Sequence, residues 1–182
     1  MKCQGNIKNA NHLKHTVLAI SVMALFSGCN SDSNDNSHTQ SSYLEKYRPQ
    51  LQYTPSKNWM NDPNGMVYYK GEYHLFYQYN PGASTWGPMN WGHAVSADLF
   101  NWEDLSIALT PDNLGTIFSG SAVIDSFNTA GFKTGEELPM VAIYTSAGNT
   151  QSQSMAYSND KGRNWTKYAN NPVLPNPGIN DF

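Results

Sequence analysis

The residues best placed to do chemistry lie in one run, Asn58-Trp59-Met60-Asn61-Asp62-Pro63-Asn64-Gly65. Asp before Pro is pushed toward extended geometry and Asn-Gly accommodates positive φ, so taken alone the run is a turn sequence. Two large apolar side chains, Trp59 and Met60, lead into it, and an apolar stretch at residues 66–69 follows. An Asp fixed by Pro63 and by neighbouring amide side chains, at the start of an inner strand, is a good way to aim a carboxylate. Other patterned carboxylates recur. Ala94-Val95-Ser96-Ala97-Asp98-Leu99-Phe100-Asn101-Trp102 can be laid over Ala156-Tyr157-Ser158-Asn159-Asp160-Lys161-Gly162-Arg163-Asn164-Trp165 with one inserted residue, at an offset of 62 to 63 positions. A chemical group is needed once and a fold element in every repeat. Asp98, Asp160, Trp102 and Trp165 are therefore read as structural, and Asp62 as functional.

The elements that must position Asp62 are short. From Tyr43 onward, runs rich in Val, Ile, Tyr, Phe and Trp alternate with Gly, Pro, Asn and Asp, which is all-β punctuation, and no stretch shows a sustained helical period. Residues 66–69, the turn Lys70-Gly71-Glu72 and residues 73–79 predict strand, tight turn, strand, closed by Pro81 and Gly82. Further strands are predicted at 92–96, 119–124, 140–146 and 154–157. The strand pair around Val67 and Phe76 corresponds to the pair around Val123 and Tyr144, so each repeat holds about four strands. Four-stranded repeats resemble the blades of a β-propeller. The second copy, Ser-x-Asp-x-Gly-x-x-Trp, also resembles the Asp-box of propeller hairpins, in which Asp and Ser satisfy turn amides and Trp packs between neighbouring sheets.

Composition narrows the ligand. The chain of 182 residues carries 11 Lys+Arg against 14 Asp+Glu, with 39% hydrophobic, 13% aromatic and 14% charged residues. A charged fraction well below the usual ~25% excludes a coiled coil, and the aromatic content argues against disorder. No basic stretch tracks a phosphate backbone, which excludes nucleic acid and favours a neutral ligand. His74 and His93 alone do not make a metal-ligand set, so no metal or other cofactor is expected.

The N-terminus has its own organisation. Lys2, Lys8 and Lys14 are the charged residues of a leader that runs into the apolar residues 17–26 and then Ser27-Gly28-Cys29, an export signal too short to span a bilayer. The Phe-Ser-Gly-Cys ending resembles the lipobox of bacterial lipoproteins, which implies acylation of Cys29 as the new N-terminus; a plain secretory signal or an uncleaved anchor is the alternative. Removing residues 1–28 leaves 8 basic and 14 acidic side chains, a formal charge of −6, and one cysteine, so no internal disulfide. The remaining leader-proximal segment, residues 29–42, has beyond Cys29 no aliphatic, Phe, Tyr or Trp side chain with which to offset its ordering entropy, and is read as a flexible tether. Residues 43–182 form the folded part.

Four ordered motifs identify a family: Trp59-Met60-Asn61-Asp62-Pro63-Asn64-Gly65, then Phe76-Tyr77-Gln78-Tyr79-Asn80-Pro81, then Trp91-Gly92-His93-Ala94-Val95-Ser96, then Phe118-Ser119-Gly120-Ser121. Together they resemble glycoside hydrolase family 32, the invertases, levanases and inulinases, from about residue 47 to the end. The resemblance implies a five-bladed β-propeller, of which roughly the first two blades are present here. It implies that Asp62 is the nucleophile that attacks the anomeric carbon of a terminal β-fructofuranoside. Asn61 and Gln78 would bind fructose hydroxyls, Trp59, Trp86 and Phe118 would wall the pocket, and Ser119 would supply a hydroxyl contact; core packing is the competing role for the aromatics.

The chemistry suits these residue types. Cleavage passes through an oxocarbenium-like state, which a carboxylate beneath the ring stabilises or traps covalently, while a second carboxyl group about 5 to 5.5 Å away protonates the leaving oxygen. Sugar pockets pair flat aromatic surface with short polar groups because each buried hydroxyl must find a replacement hydrogen bond. The family pattern continues with an Arg-Asp-Pro motif and a Glu-Cys motif carrying the transition-state Asp and the acid/base Glu; neither occurs here. Asp181 lacks that context, and Glu136 and Glu137 are read as solvated surface. The expectation is an N-terminal part of an exported, lipid-anchored fructan or sucrose hydrolase, of levanase or inulinase type, that does not turn over substrate alone. The alternatives are a noncatalytic fructan-binding lipoprotein and a five-bladed glycosidase acting on arabinan or xylan. A sialidase-type propeller would grip its carboxylate substrate with several arginines, and only Arg48 and Arg163 are available.

Overall fold

The computed structural model describes residues 45–182; the leader, Cys29 and the polar segment lie outside the described residues. The described part is all-β, in two four-stranded antiparallel sheets. The first contains β1 (Trp59–Tyr69), β2 (Glu72–Asn80), β3 (Asn90–Ser96) and β4 (Trp102–Asp104) in sequential order, and the second repeats that order with β5 (Thr116–Ile124), β6 (Met140–Ala147), β7 (Gln151–Ser158) and β8 (Thr166–Lys167). The expected repeat of four strands is present. The outermost strand of each unit, three residues in β4 and two in β8, is too short to show an alternating pattern and escaped the sequence reading. The turn between β1 and β2 is as expected: Lys70 (φ 46°) and Gly71 (φ 87°) take the paired left-handed conformations that match a two-residue hairpin loop to strand twist.

The Asp-Pro-Asn-Gly run departs from the turn reading. It is part of β1, which enters seven residues earlier than the apolar stretch predicts. Asp-Pro favours extended backbone, so it suits a strand as well as a turn. The strand absorbs the run through two irregularities, between Met60 and Pro63 and between Asn64 and Met66, each placing one extra residue in β1 opposite β2. Gly65 is not in a positive-φ conformation. Its missing side chain instead lets β1 meet β5: a Cβ there would stand 2.2 Å from the Ala122 backbone nitrogen.

The two sheets pack through a shared core of Val67, Phe76, Trp91, Leu109, Ile117, Ala122, Ala142, Tyr144 and Ala156. The other face of the first sheet buries Leu75, Tyr77 and Ala94 under Tyr53, Met60 and Trp102, with Tyr53 drawn in by a 2.7 Å hydrogen bond to the Tyr77 hydroxyl. The far face of the second sheet is open, with Val123 and Ile143 half exposed.

The repeated Asp motif does what its recurrence implies. Asp98 accepts from the Phe100 and Asn101 amides at 2.8 Å and from the Asn101 side chain at 2.7 Å, and those bonds hold its carboxyl well below the usual range. Asp160 accepts from the Asn164 amide at 2.9 Å and its side chain at 2.6 Å. Burial pushes Asp160 up, but the Asn164 and Ser158 hydrogen bonds outweigh it and leave its pKa lowered. The indoles of Trp102 and Trp165 each donate to a turn carbonyl, of Leu99 and Gly162, at 3.0 Å. Trp165 packs edge-on against Phe76 of the first sheet at 5.4 Å, the inter-sheet role expected of it, whereas Trp102 lies against Tyr53.

Glu137 corrects the reading of a solvated surface. Its carboxylate accepts from the Tyr69 hydroxyl at 2.8 Å and from Lys70 Nζ at 2.9 Å, tying the β5–β6 connection to the end of β1. Glu136 is exposed as expected.

Candidate active site

Bulges in the adjacent first strands of the two sheets build the site. In β1 the ladder skips from Met60 to Pro63, leaving Asn61 and Asp62 without partners on β2; in β5 it skips from Ile117 to Gly120, leaving Phe118 and Ser119 without partners on β6. A bulge bends its strand and re-aims side chains, so the four residues freed from the ladders are those turned toward a common point.

Hydrogen bonds join them across the sheet boundary. Ser119 Oγ donates to Asp62 Oδ2 at 2.9 Å. On the other oxygen, Asn61 Nδ2 donates to Asp62 Oδ1 at 3.2 Å, and Asn61 Oδ1 in turn accepts from Trp59 Nε1 at 2.9 Å. The Trp59 bond decides which way the Asn61 amide faces, and that presents its NH2 to the carboxylate. Both Asp62 oxygens are thus oriented by neutral donors, while the residue stays exposed to a ligand. Among the described residues no ion pair engages this carboxylate, which leaves it free to face a developing positive centre.

Aromatic surface flanks the carboxylate. Phe118 meets Trp86 edge to face at 6.4 Å, and Trp86, on the loop between β2 and β3, is 62% exposed. Half-bare aromatic faces beside short polar groups suit a sugar ring. Of the residues singled out in the sequence, Trp59, Asn61, Asp62 and Ser119 are hydrogen-bonded in one chain, and Phe118 and Trp86 are in contact beside it. Gln78 is set apart: it is buried on β2, between the partners of Met60 and Pro63, and its Nε2 has no hydrogen-bond partner. It stands opposite the β1 bulge, and no hydrogen bond joins it to that chain.

Two contributors carried no assigned role in the sequence. Trp91 donates its indole N–H to the Phe118 carbonyl at 3.0 Å. Asn64 is buried with neither side-chain polar atom partnered. Trp91 stands in a quoted motif, but nothing in sequence spacing shows that its indole reaches into the next repeat. Among the described residues no group of three His, Cys, Asp or Glu side chains is arranged to hold a metal ion.

The chain resembles known proteins over most of its length. Residues 52–182 match the family model described as the glycosyl hydrolases family 32 N-terminal domain. The levanase of Bacillus subtilis (strain 168) is 61% identical over 167 residues, 91% of this chain and 24% of that protein. An extracellular exo-inulinase of Aspergillus awamori is 50% identical over 155 residues, 74% of this chain and 29% of that protein. The crystal structure of the A. awamori exo-inulinase superposes with a TM-score of 0.69 at 48% identity, covering 74% of this chain and 30% of that one. A Schwanniomyces occidentalis fructofuranosidase solved with fructosylnystose gives a TM-score of 0.67 at 47% identity, covering 70% of this chain and 26% of that one. The chain spans about a quarter of the length of the curated relatives it matches.

Proposed function

The chain belongs to glycosyl hydrolase family 32, and from that premise we propose that it supplies the nucleophile half of a retaining β-fructofuranosidase acting on fructans. Asp62 attacks the anomeric carbon of a terminal fructofuranosyl unit, Asn61 and Gln78 hold the sugar hydroxyls, and Trp59, Trp86 and Phe118 wall the ring. Ser119 holds the carboxylate. One observation carries the reading: a solvent-facing Asp62 gripped on one oxygen by Ser119 and on the other by Asn61, each donor coming from a bulge in a different sheet. A second carboxyl group must protonate a poor leaving oxygen. Glu137 is not that group, because it is bound to Tyr69, seven residues along β1 from Asp62 and about 20 Å away at strand rise. In this reading the 182-residue chain binds and orients the fructosyl unit without hydrolysing fructan unaided.

The test uses a substrate whose leaving group needs no proton. With β-D-fructofuranosyl fluoride, a carboxylate oxygen of Asp62 forms the bond to the anomeric carbon, and the C–F bond breaks with its electron pair leaving as fluoride. Peptide mapping is expected to find the fructosyl ester on Asp62, and Asp62→Asn is expected to carry none. Binding of fructo-oligosaccharides without labelling would favour the noncatalytic fructan-binding reading, and labelling by an arabinosyl but not a fructosyl donor would favour the arabinan reading.

The N-terminal segment belongs to the same proposal. Residues 1–28 act as an export signal, acylated Cys29 and residues 30–42 tether residues 43–182 to a membrane surface, and an anchored exported enzyme suits an external polymer such as levan or inulin better than sucrose. The lysine-bearing leader and the Phe-Ser-Gly-Cys ending support this. Mass spectrometry of the mature N-terminus checks it: an unmodified N-terminus other than Cys29 would overturn the anchor.

A further inference from the structure

The bulge that gives β5 its Phe118 and Ser119 also removes their ladder bonds to β6. A strand segment freed in this way gains conformational freedom and needs another restraint if its side chains are to hold a fixed geometry. That restraint comes from the other sheet. Trp91 Nε1 donates to the Phe118 carbonyl at 3.0 Å, and the preceding amide, Ile117 N–H, donates to the Met89 carbonyl at 3.0 Å. Two successive residues of β5 are thus pinned from the first sheet.

Trp91 is itself immobile. It is fully buried, its amide donates to Leu109 O and its carbonyl accepts from Ala108 N, each at 2.9 Å, and its ring packs against Phe76 at 5.8 Å and Tyr144 at 6.1 Å. The Phe118 carbonyl belongs to the same planar peptide as the Ser119 nitrogen, so fixing one fixes the other. Ser119 then reaches back to Asp62, which stands on the first sheet with Trp91.

We propose that Trp91 is a positioning residue for the Ser119–Asp62 pair, its indole N–H setting the height of the β5 bulge so that the Ser119 hydroxyl meets the carboxylate across the sheet boundary. The inference deepens the proposed function and rests on it for its catalytic consequence, while the positioning itself is a statement about the unliganded chain.

The experiment separates the two. Trp91 is replaced by 3-benzothienylalanine, which keeps the ring shape and removes the N–H; Trp91→Phe, Ser119→Ala and their combination accompany it. In the unliganded 182-residue chain, the Asp62 carboxyl 13C shift is expected to move in the isostere protein in the same direction as in Ser119→Ala, with no additional movement when both changes are combined. An unmoved carboxyl in the isostere protein, or in Ser119→Ala, overturns the proposal.

With fructofuranosyl fluoride, the labelling rate constant is expected to fall about tenfold in the isostere protein and in Ser119→Ala alike, the loss typical of one hydrogen bond to a charged group, with little change in the half-saturating concentration and no product of the two effects in the double change. Wild-type labelling speed in the isostere protein overturns the proposal. If the wild type is not labelled while the carboxyl shifts behave as expected, the positioning stands and the hydrolase reading falls.

Discussion

His74 Nδ1 lies 3.1 Å from His93 Nε2 in the interior of the first sheet, with the rings stacked at 5.3 Å and neither exposed. One nitrogen of that contact must be without a proton, so the pair is built for the neutral state. Burial lowers His74 to about 4 and His93 to about 3, the neighbouring His74 adding to the second. Glu72, 3.6 Å from His74 Nε2, works in the opposite direction, while Arg163 and Lys161, both paired to Glu72, reinforce the lowering.

The sign of the pH dependence follows. The unfolded chain takes up these protons near pH 6.5, before the folded chain does. Stability is complete above that pH and declines as pH falls from about 6.5 toward about 4, by up to about 1.4 kcal/mol per pH unit for each ring. Thermal unfolding followed at pH 7.5, 6 and 5 is expected to show Tm dropping, and His93→Gln to flatten the drop. A wild-type Tm constant over that range would contradict it.

Gly162 sits on the same pair from the second sheet. Its φ is 78°, and a Cβ there would stand 3.0 Å from His93 Cε1 and 3.3 Å from Met140 Sδ. Gly131 has a similar φ of 74° with nothing within 4 Å. Gly162→Ala is expected to cost about 1 kcal/mol more than Gly131→Ala, since both carry the backbone penalty and only the first must also displace the imidazole. Denaturant titration of the two variants compares them directly; equal losses would remove the packing role.

The two Asp turns offer a paired test of their structural assignment. Asp160→Ala is expected to destabilise by about 2 kcal/mol, because it strips acceptors from the Asn164 amide, the Asn164 side chain and Ser158 in a turn that seats Trp165 on Phe76. Asp98→Ala, in a turn whose Trp102 rests on Tyr53 and not on the other sheet, is expected to cost less. Calorimetry on the two proteins ranks them, and neither is expected to alter labelling of Asp62.

Trp59→Phe is expected to keep the ring surface and release the Asn61 amide, since the indole bond to Asn61 Oδ1 is what fixes it. Labelling of Asp62 should slow by up to about tenfold, with Tm changed little. An unchanged rate would mean that Asn61 is oriented by something other than Trp59.

Much of this was readable in the residues because the informative signals are local. The single occurrence of the Asp62 run separated it from the recurring Asp98 and Asp160, and Lys70-Gly71 announced its hairpin. What stayed hidden was set by pairing between distant strands. No rule of local propensity says that Asp-Pro-Asn-Gly will be absorbed as bulges in β1, that Gly65 serves closeness to Ala122 and not a turn, or that Trp91 reaches Phe118 in the next sheet. Glu137 looked solvated for the same reason: its partners Tyr69 and Lys70 are remote in sequence and adjacent only once β1 and the β5–β6 connection are laid side by side.

The irregularities of β1 carry a consequence for how this segment tolerates change. Each adds one residue to β1 and none to β2. Val67 and Tyr69 face the interior through their own partners, His74 and Glu72, a pairing that lies beyond both irregularities. Loss of one of the extra residues between Met60 and Met66 would erase an irregularity and leave that pairing in place, at the expense of the side chains the irregularity re-aims, so drift in length here is absorbed locally and is felt in the site before the core.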